Sequence, residues 1–214
     1  MDMRRTDTIT ALTVLVAFGG CASGRDRPSA TDWRVLASDP DRERLRSWRD
    51  TWTAALRQAR AAGEGARIDA AGILLQPDAS LGGQMPTPGG YVCRVVKIGR
   101  IANRTAGAGS DFIADPPAAC RIEPRGPLLG IAKLEGAQQP AGWLYPDGGV
   151  GPARMIFLGS MRMADEPRPL PYGGDPERDM AGILERIGPS RWRLVLPRPQ
   201  WEAMLTVVDI RPID

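Results

Sequence analysis

The stretch AGILERIGPSRWRLVLP, residues 181–197, constrains the fold more than any other part of the chain. Trp192, Leu194 and Leu196 alternate with Arg191, Arg193 and Val195, which is the two-residue period of a strand with one buried face. Ile183, Glu185 and Ile187 share one face of a shorter run upstream. Gly188, Pro189 and Ser190 separate the two runs, a three-residue connection suited to a tight hairpin. Pro197 and Pro199 end the second run, because proline cannot donate to a ladder. A domain built around this hairpin is expected to be mostly β.

Further candidate strands lie at residues 91–98, 119–123, 129–135, 142–145, 155–159 and 204–211, which with the hairpin makes eight. Tyr145-Pro146-Asp147-Gly148-Gly149 is a strong turn signal between two of them. No helical pattern separates successive strands, which argues against a parallel α/β sheet. The 20 prolines and 25 glycines point the same way, toward turn-rich β structure and away from a helical bundle. The expectation is an antiparallel, eight-stranded barrel-like or lipocalin-like domain. Such a barrel encloses either packed side chains or one small ligand.

A helical segment precedes the strands, over residues 38–75. Ser38-Asp39-Pro40-Asp41 supplies a capping side chain, a first-turn proline and acidic residues facing the helix dipole. Leu45, Trp48, Trp52, Leu56 and Ala59 then recur every three or four residues, one stripe of an amphipathic helix that Gly63 and Gly65 stop. This stripe is expected to pack on the barrel, the alternative being a partner-binding stripe around Trp48 and Trp52. Residues 68–75 read as a second, shorter helix.

The N-terminus reads as a targeting segment. Arg4 and Arg5 precede an apolar run from Ile9 to Phe18 that is too short for a permanent membrane span. The run ends in Phe18-Gly19-Gly20-Cys21, which resembles the lipobox of bacterial lipoproteins. That resemblance implies cleavage before Cys21, lipid on its sulfur and new amino group, and, with Ala22 rather than Asp next, anchorage to the outer membrane facing the periplasm. The expected organisation is a signal peptide over residues 1–20, the lipidated cysteine with a polar tether over 21–32, and one globular domain over 33–214.

Composition excludes several chemistries. The chain has no histidine, which removes Ser-His-Asp and Cys-His catalysis and every histidine-ligated metal. A net charge of +3 with interspersed acids offers no nucleic-acid footprint. Cys93 and Cys120 lie in the first two strands and are expected to form a disulfide in an oxidising compartment, leaving Cys21 for the lipid. Neither a phosphate loop nor Gly-x-Ser-x-Gly is present.

The remaining candidates are binding residues. Trp143 and Tyr145 alternate along one strand face, with Leu144 on the other, and are candidates to line a ligand cavity. Tyr172, Arg178 and Asp179 belong to a dense polar cluster in the long connection from Met161 to Met180. Asp175, Glu177 and Asp179 offer oxygens to Ca²⁺ but lack the full EF-hand pattern, and the alternative is a capped turn in which Arg178 pairs with Asp179. Glu135, Glu185 and Asp179 are the carboxylates for an acid–base pair of the glycosidase kind.

Six stretches carry a family resemblance: DRERLRSWRDTW (41–52), GGYVCRVVKIG (89–99), LEGAQQPAGWLYPD (134–147), MIFLGS (155–160), YGGDPERDMAG (172–182) and RIGPSRWRLVLPRP (186–199). Together they make the chain resemble domain of unknown function 4893, a family of exported proteobacterial proteins. The resemblance implies one exported domain, and with no established activity in the family it transfers no site residues. From the eight closely spaced strands, a barrel's potential cavity and the missing catalytic motifs, the expected function is non-catalytic and cofactor-free, namely binding of a small apolar or envelope-derived ligand. The alternatives are an interaction module of the cell envelope with a filled core, and a carboxylate-dependent hydrolase acting on cell-wall material.

Overall fold

Period-two alternation recurs in separate runs along the C-terminal two thirds of the chain, and the computed structural model turns them into a closed barrel. It describes residues 31–101, 110–148, 153–200 and 203–213, so Cys21, the leader and nearly all of the tether lie outside the described residues. The strands are β1 Gly89–Arg100, β2 Phe112–Ala114, β3 Ala118–Arg125, β4 Leu128–Lys133, β5 Gln138–Pro146, β6 Met155–Met163, β7 Asp179–Gly188, β8 Arg191–Pro197 and β9 Ala203–Pro212. From β3 onward each strand pairs antiparallel with the next, and β9 returns to β1 from Tyr91↔Pro212 to Arg100↔Ala203. Strands β1 and β3–β9 thus form an eight-stranded antiparallel barrel, the architecture expected from the strand spacing.

The ninth strand, β2, is an addition to the expected eight. It pairs with Val96, Lys97 and Ile98 on the edge of β1 that β3 occupies from Gly89 to Cys93. Pro116 and Pro117 lie between β2 and β3, and their missing N–H groups interrupt what would otherwise be one continuous strand. Cys93 and Cys120 are diagonal neighbours on β1 and β3, opposite Ala118 and Tyr91 respectively, and are bonded, with their Cα atoms 5.8 Å apart.

The hairpin of β7 and β8 differs from expectation in two ways. Its connection is two residues, Pro189 and Ser190, because Gly188 already pairs with Arg191, and a register shift between Arg186 and Gly188 absorbs the extra length. Both of its faces are buried, where one was expected. Trp192, Leu194 and Leu196 point into the barrel, while Arg193 and Val195 point outward and lie under the helices. The inner core is completed by Phe157, Leu184, Ile210 and their neighbours.

The helical layer comprises α1 Trp33–Leu36, α2 Asp39–Arg46, α3 Trp48–Ala61, α4 Gly65–Ala70 and a 3₁₀ turn at Gly72–Leu75. Ser38 caps α2 by accepting from the Asp41 N–H at 3.3 Å. The single long helix of the sequence reading is divided at Ser47, whose hydroxyl donates back to the Glu43 carbonyl at 2.9 Å and competes with the helical ladder. Leu45, Trp48, Trp52 and Ala59 of the predicted stripe are buried against the outside of the barrel, and Leu56 is half-buried. Gly63, at φ +90°, ends α3 in a conformation that suits glycine. The layer covers β7, β8, β9 and β1.

A buried ion cluster ties that layer to the barrel. Arg193 is fully buried and donates to Glu185 Oε2 from Nε at 3.0 Å and from Nη2 at 2.8 Å. Its remaining hydrogens go to the carbonyls of Leu74 (3.0 Å), Gln76 (2.6 Å) and Pro77 (3.0 Å), capping the end of the 3₁₀ turn. The guanidinium lies 4.6 Å from the Trp52 ring centre, and Arg154 Nε sits 2.9 Å from the other Glu185 oxygen.

Candidate functional site

The inside of the barrel is filled. The void bounded by Val95, Met161, Met180, Leu196 and Thr206 measures about 20 Å³, room for about one water. Close approach of strands contributes to this filling. Gly142 and Gly159 face each other across β5 and β6 with the Phe157 ring over them, so that a Cβ on Gly142 would lie 2.5 Å from the Gly159 Cα.

Larger spaces among the described residues lie elsewhere: one of about 550 Å³ opens at the barrel end between Lys97, Lys133, Glu135 and Gln138, and another lies on the outer wall, over β3 to β6, on the part of the barrel that the helices leave uncovered. Outward positions pair across these strands in two rows. One row runs Arg121, Ala132, Ala141, Ser160, and the other Glu123, Gly130, Trp143, Leu158. Because Ala132, Ala141 and Gly130 have little or no side chain, the middle of both rows is a floor. Walls rise around it. Trp143 and Leu134 are exposed apolar side chains, and Leu170 arrives from the β6–β7 connection because its carbonyl accepts the Ser160 hydroxyl at 2.6 Å. Pro169, Pro171 and Tyr172 continue that wall. The resulting groove has a volume of about 430 Å³.

The β6–β7 connection, residues 164–178, is held in place by polar contacts. Tyr172 Oη donates to the buried Asp41 carboxylate and accepts from the Ser38 N–H at 2.9 Å. Burial and the neighbouring Asp41 carboxylate push the Tyr172 phenol up to about 12. Arg178 Nη1 donates to both oxygens of Glu166, at 2.6 and 2.7 Å, and Nε donates to Asp175 at 3.2 Å. Glu166 is correspondingly held below the ordinary carboxylate range by its hydrogen bond from Arg178. Asp179 is buried and accepts from the Gly173 N–H at 3.0 and 3.1 Å. Desolvation raises its pKa, with the nearby Asp41 adding to the shift.

Two of the five residues expected to bind ligand, Trp143 and Tyr172, line this groove together. The other three do not. Tyr145 shares the outward face with Trp143 but is buried beneath the helical layer, and burial raises its phenol pKa. Arg178 and Asp179 brace the connection behind the groove wall, and Arg178 pairs with Glu166 and Asp175, not with Asp179. The aromatic pair therefore lines no barrel cavity, because odd-numbered positions of β5 point outward and Leu144 takes the inward place.

The polar alternatives are dispersed. Asp175 accepts from the Glu177 N–H at 3.0 Å while Asp179 faces Gly173, and among the described residues no three acidic or cysteine side chains converge as a metal site would need. Glu185 is locked beneath the helices, Glu135 accepts from the Ala119 N–H at 3.0 Å beside the β4–β5 turn, and Asp179 lies under the long connection. They form no acid–base pair. Arg121, Arg125 and Leu134 were missed by sequence reasoning. The signal was present in the outward Gly130, Ala132 and Ala141, but it becomes legible only once strand register is known.

No curated protein and no solved structure matches the chain. A family model does, over residues 33–210, which takes in the helical layer and almost all of the barrel. The chain belongs to the family described as domain of unknown function 4893.

Proposed function

We propose that this protein is a non-catalytic interaction module of the cell envelope, in which the barrel is a filled scaffold and the outer groove is the contact surface. The observation that carries this reading is the filled core, whose enclosed void measures about 20 Å³, beside a groove of about 430 Å³ on the outer wall. A lipocalin-like carrier needs an enclosed cavity in that core, whereas the space at the barrel end is an open bowl lined by Lys97, Lys133, Glu135 and Gln138. The groove's exposed Leu134, Trp143 and Leu170 give it the apolar character of a partner-binding patch, and the dispersed carboxylates offer no paired chemistry for hydrolysis. The lipobox-like Phe18-Gly19-Gly20-Cys21 supports anchorage to the outer membrane, with the domain held in the periplasm. Cys21→Ser is then expected to abolish radiolabelled palmitate incorporation and release the protein from membranes.

The test is site-specific photocrosslinking in cells combined with native mass spectrometry. A photoreactive residue at Leu134 or Leu170 is expected to give one discrete protein adduct, absent when the probe sits at the exposed Arg57 on α3. The purified chain is expected to be free of small-molecule mass. A retained adduct of lipid or metabolite size, or crosslinks equal at Leu134 and Arg57, would overturn the proposal.

A further inference from the structure

Resting on the groove reading, we infer that its occupant is an extended segment of a partner protein carrying an acidic side chain beside apolar ones, with Arg121 as the anchor for the acid. From Ala141 to Arg121 the floor crosses two inter-strand spacings, about 10 Å, which is the reach of roughly three extended residues, and Leu170, seated on the buried Ser160, closes the far end. This track, at Ala132 and Ala141, is apolar and shallow, with Trp143 to one side and Leu134 to the other.

The charge at its end is unbalanced. Arg125 pairs with Glu123 and lies 5.8 Å from the Trp143 ring centre, so that cation is already engaged. Arg121 is exposed, and no carboxylate of the described residues lies in ion-pair range of it. A planar guanidinium at the end of an apolar track accepts a carboxylate through two parallel hydrogen bonds. A glycan fits less well. Its hydroxyls need many donors and acceptors, whereas Leu134, Leu170, Pro169 and Pro171 present none from their side chains and the Tyr172 hydroxyl is committed to Asp41.

The experiment is selection of a phage-displayed library of random twelve-residue peptides on the detergent-solubilised full chain, followed by titration of synthetic versions of the enriched peptides. The expected result is enrichment of sequences with Asp or Glu next to apolar residues. Arg121→Glu should weaken them by about tenfold or more, with selection on that variant favouring Lys or Arg instead. Enriched peptides that lose binding in Leu134→Asp and Trp143→Ala but are indifferent to Arg121→Glu would overturn the acidic anchor while leaving the groove reading intact. Enrichment insensitive to all three variants, or none, would overturn both. Cosedimentation with purified peptidoglycan that depends on Trp143 would replace the peptide with a glycan. A concentration-dependent dimer abolished by Leu134→Asp would replace it with a second copy of the chain. Circular dichroism of each variant separates these outcomes from misfolding, since all three positions lie on the outer wall.

Discussion

Replacing Arg193 with methionine removes a fully buried side chain that bonds at once to the barrel and to the helical layer. The variant strands the fully buried Glu185 carboxylate with Arg154 alone and leaves the carbonyls of Leu74, Gln76 and Pro77 without their donor. Breaking a buried ion pair by removing one partner costs about 3–5 kcal/mol. Each orphaned carbonyl adds up to about 1–3 kcal/mol, unless the segment peels away to reach water. The two costs overlap, because peeling also hydrates Glu185. The expected loss for Arg193→Met is therefore about 4 kcal/mol, a large part of a typical domain's stability. Glu185→Leu alone strands the arginine and should cost about as much. The double variant, which removes both charges but leaves the three carbonyls without their donor, is expected to be about as unstable as either single variant and so give a coupling energy of at least about 2 kcal/mol. Urea unfolding followed by circular dichroism measures all three, and hydrogen exchange across residues 72–78 reports whether that segment detaches. An Arg193→Met variant within about 1 kcal/mol of the parent, or a double variant as unstable as the sum of the singles, would refute the reasoning.

Three further outcomes follow from the same structure. Gly142→Ala is expected to destabilise by at least about 3 kcal/mol or to prevent folding, since the new Cβ meets the backbone of Gly159 at 2.5 Å; a soluble variant with unchanged urea midpoint would contradict the close approach. The Tyr172 phenol has an ordinary value of 10.0 and about 12 when folded, so between these the folded state keeps a proton that the unfolded state has lost, and stability falls as pH rises. Thermal melts over that window should show a shallower fall in Tyr172→Phe, with a remaining slope from Tyr145, and identical slopes would remove Tyr172 from the account. Reducing the Cys93–Cys120 bond, which spans 27 residues, is expected to cost about 3.5 kcal/mol by loop entropy, read as a drop in urea midpoint in the presence of reductant.

Most of the architecture was legible before the structure, for physical reasons. Alternation in β1, β8 and β9 is local, and so are the prolines that end strands and the serine that caps α2. Each needs only neighbours in sequence to be read. What was hidden depended on contacts between distant parts. The second buried face of β8 exists because α3 and the 3₁₀ turn lie on it, which turns the apparently solvent-facing Arg193 into the most enclosed cation of the described residues. The division of the long helix at Ser47 turns on one hydroxyl, and α-helical periodicity continues through it. Trp143 and Tyr145 share a strand face, yet one is exposed and the other is covered, a difference set by where the helical layer ends. The groove was the least legible feature because its floor consists of small residues on two strands, β4 and β5, and small residues leave no apolar signal in a sequence.

The closing ladder between β1 and β9 has a consequence for how the protein is made. Its two strands are separated by more than a hundred residues, whereas every other rung of the barrel joins sequence neighbours, so its formation carries the largest loop-closure cost. A chain emerging N-terminus first can assemble the successive hairpins as they appear, but until residues 203–212 arrive the sheet has two open edges. Its most aggregation-prone moment is thus the interval before synthesis ends. A chain truncated just short of β9 would stay in that state permanently, as a nearly finished sheet offering both edges to its neighbours.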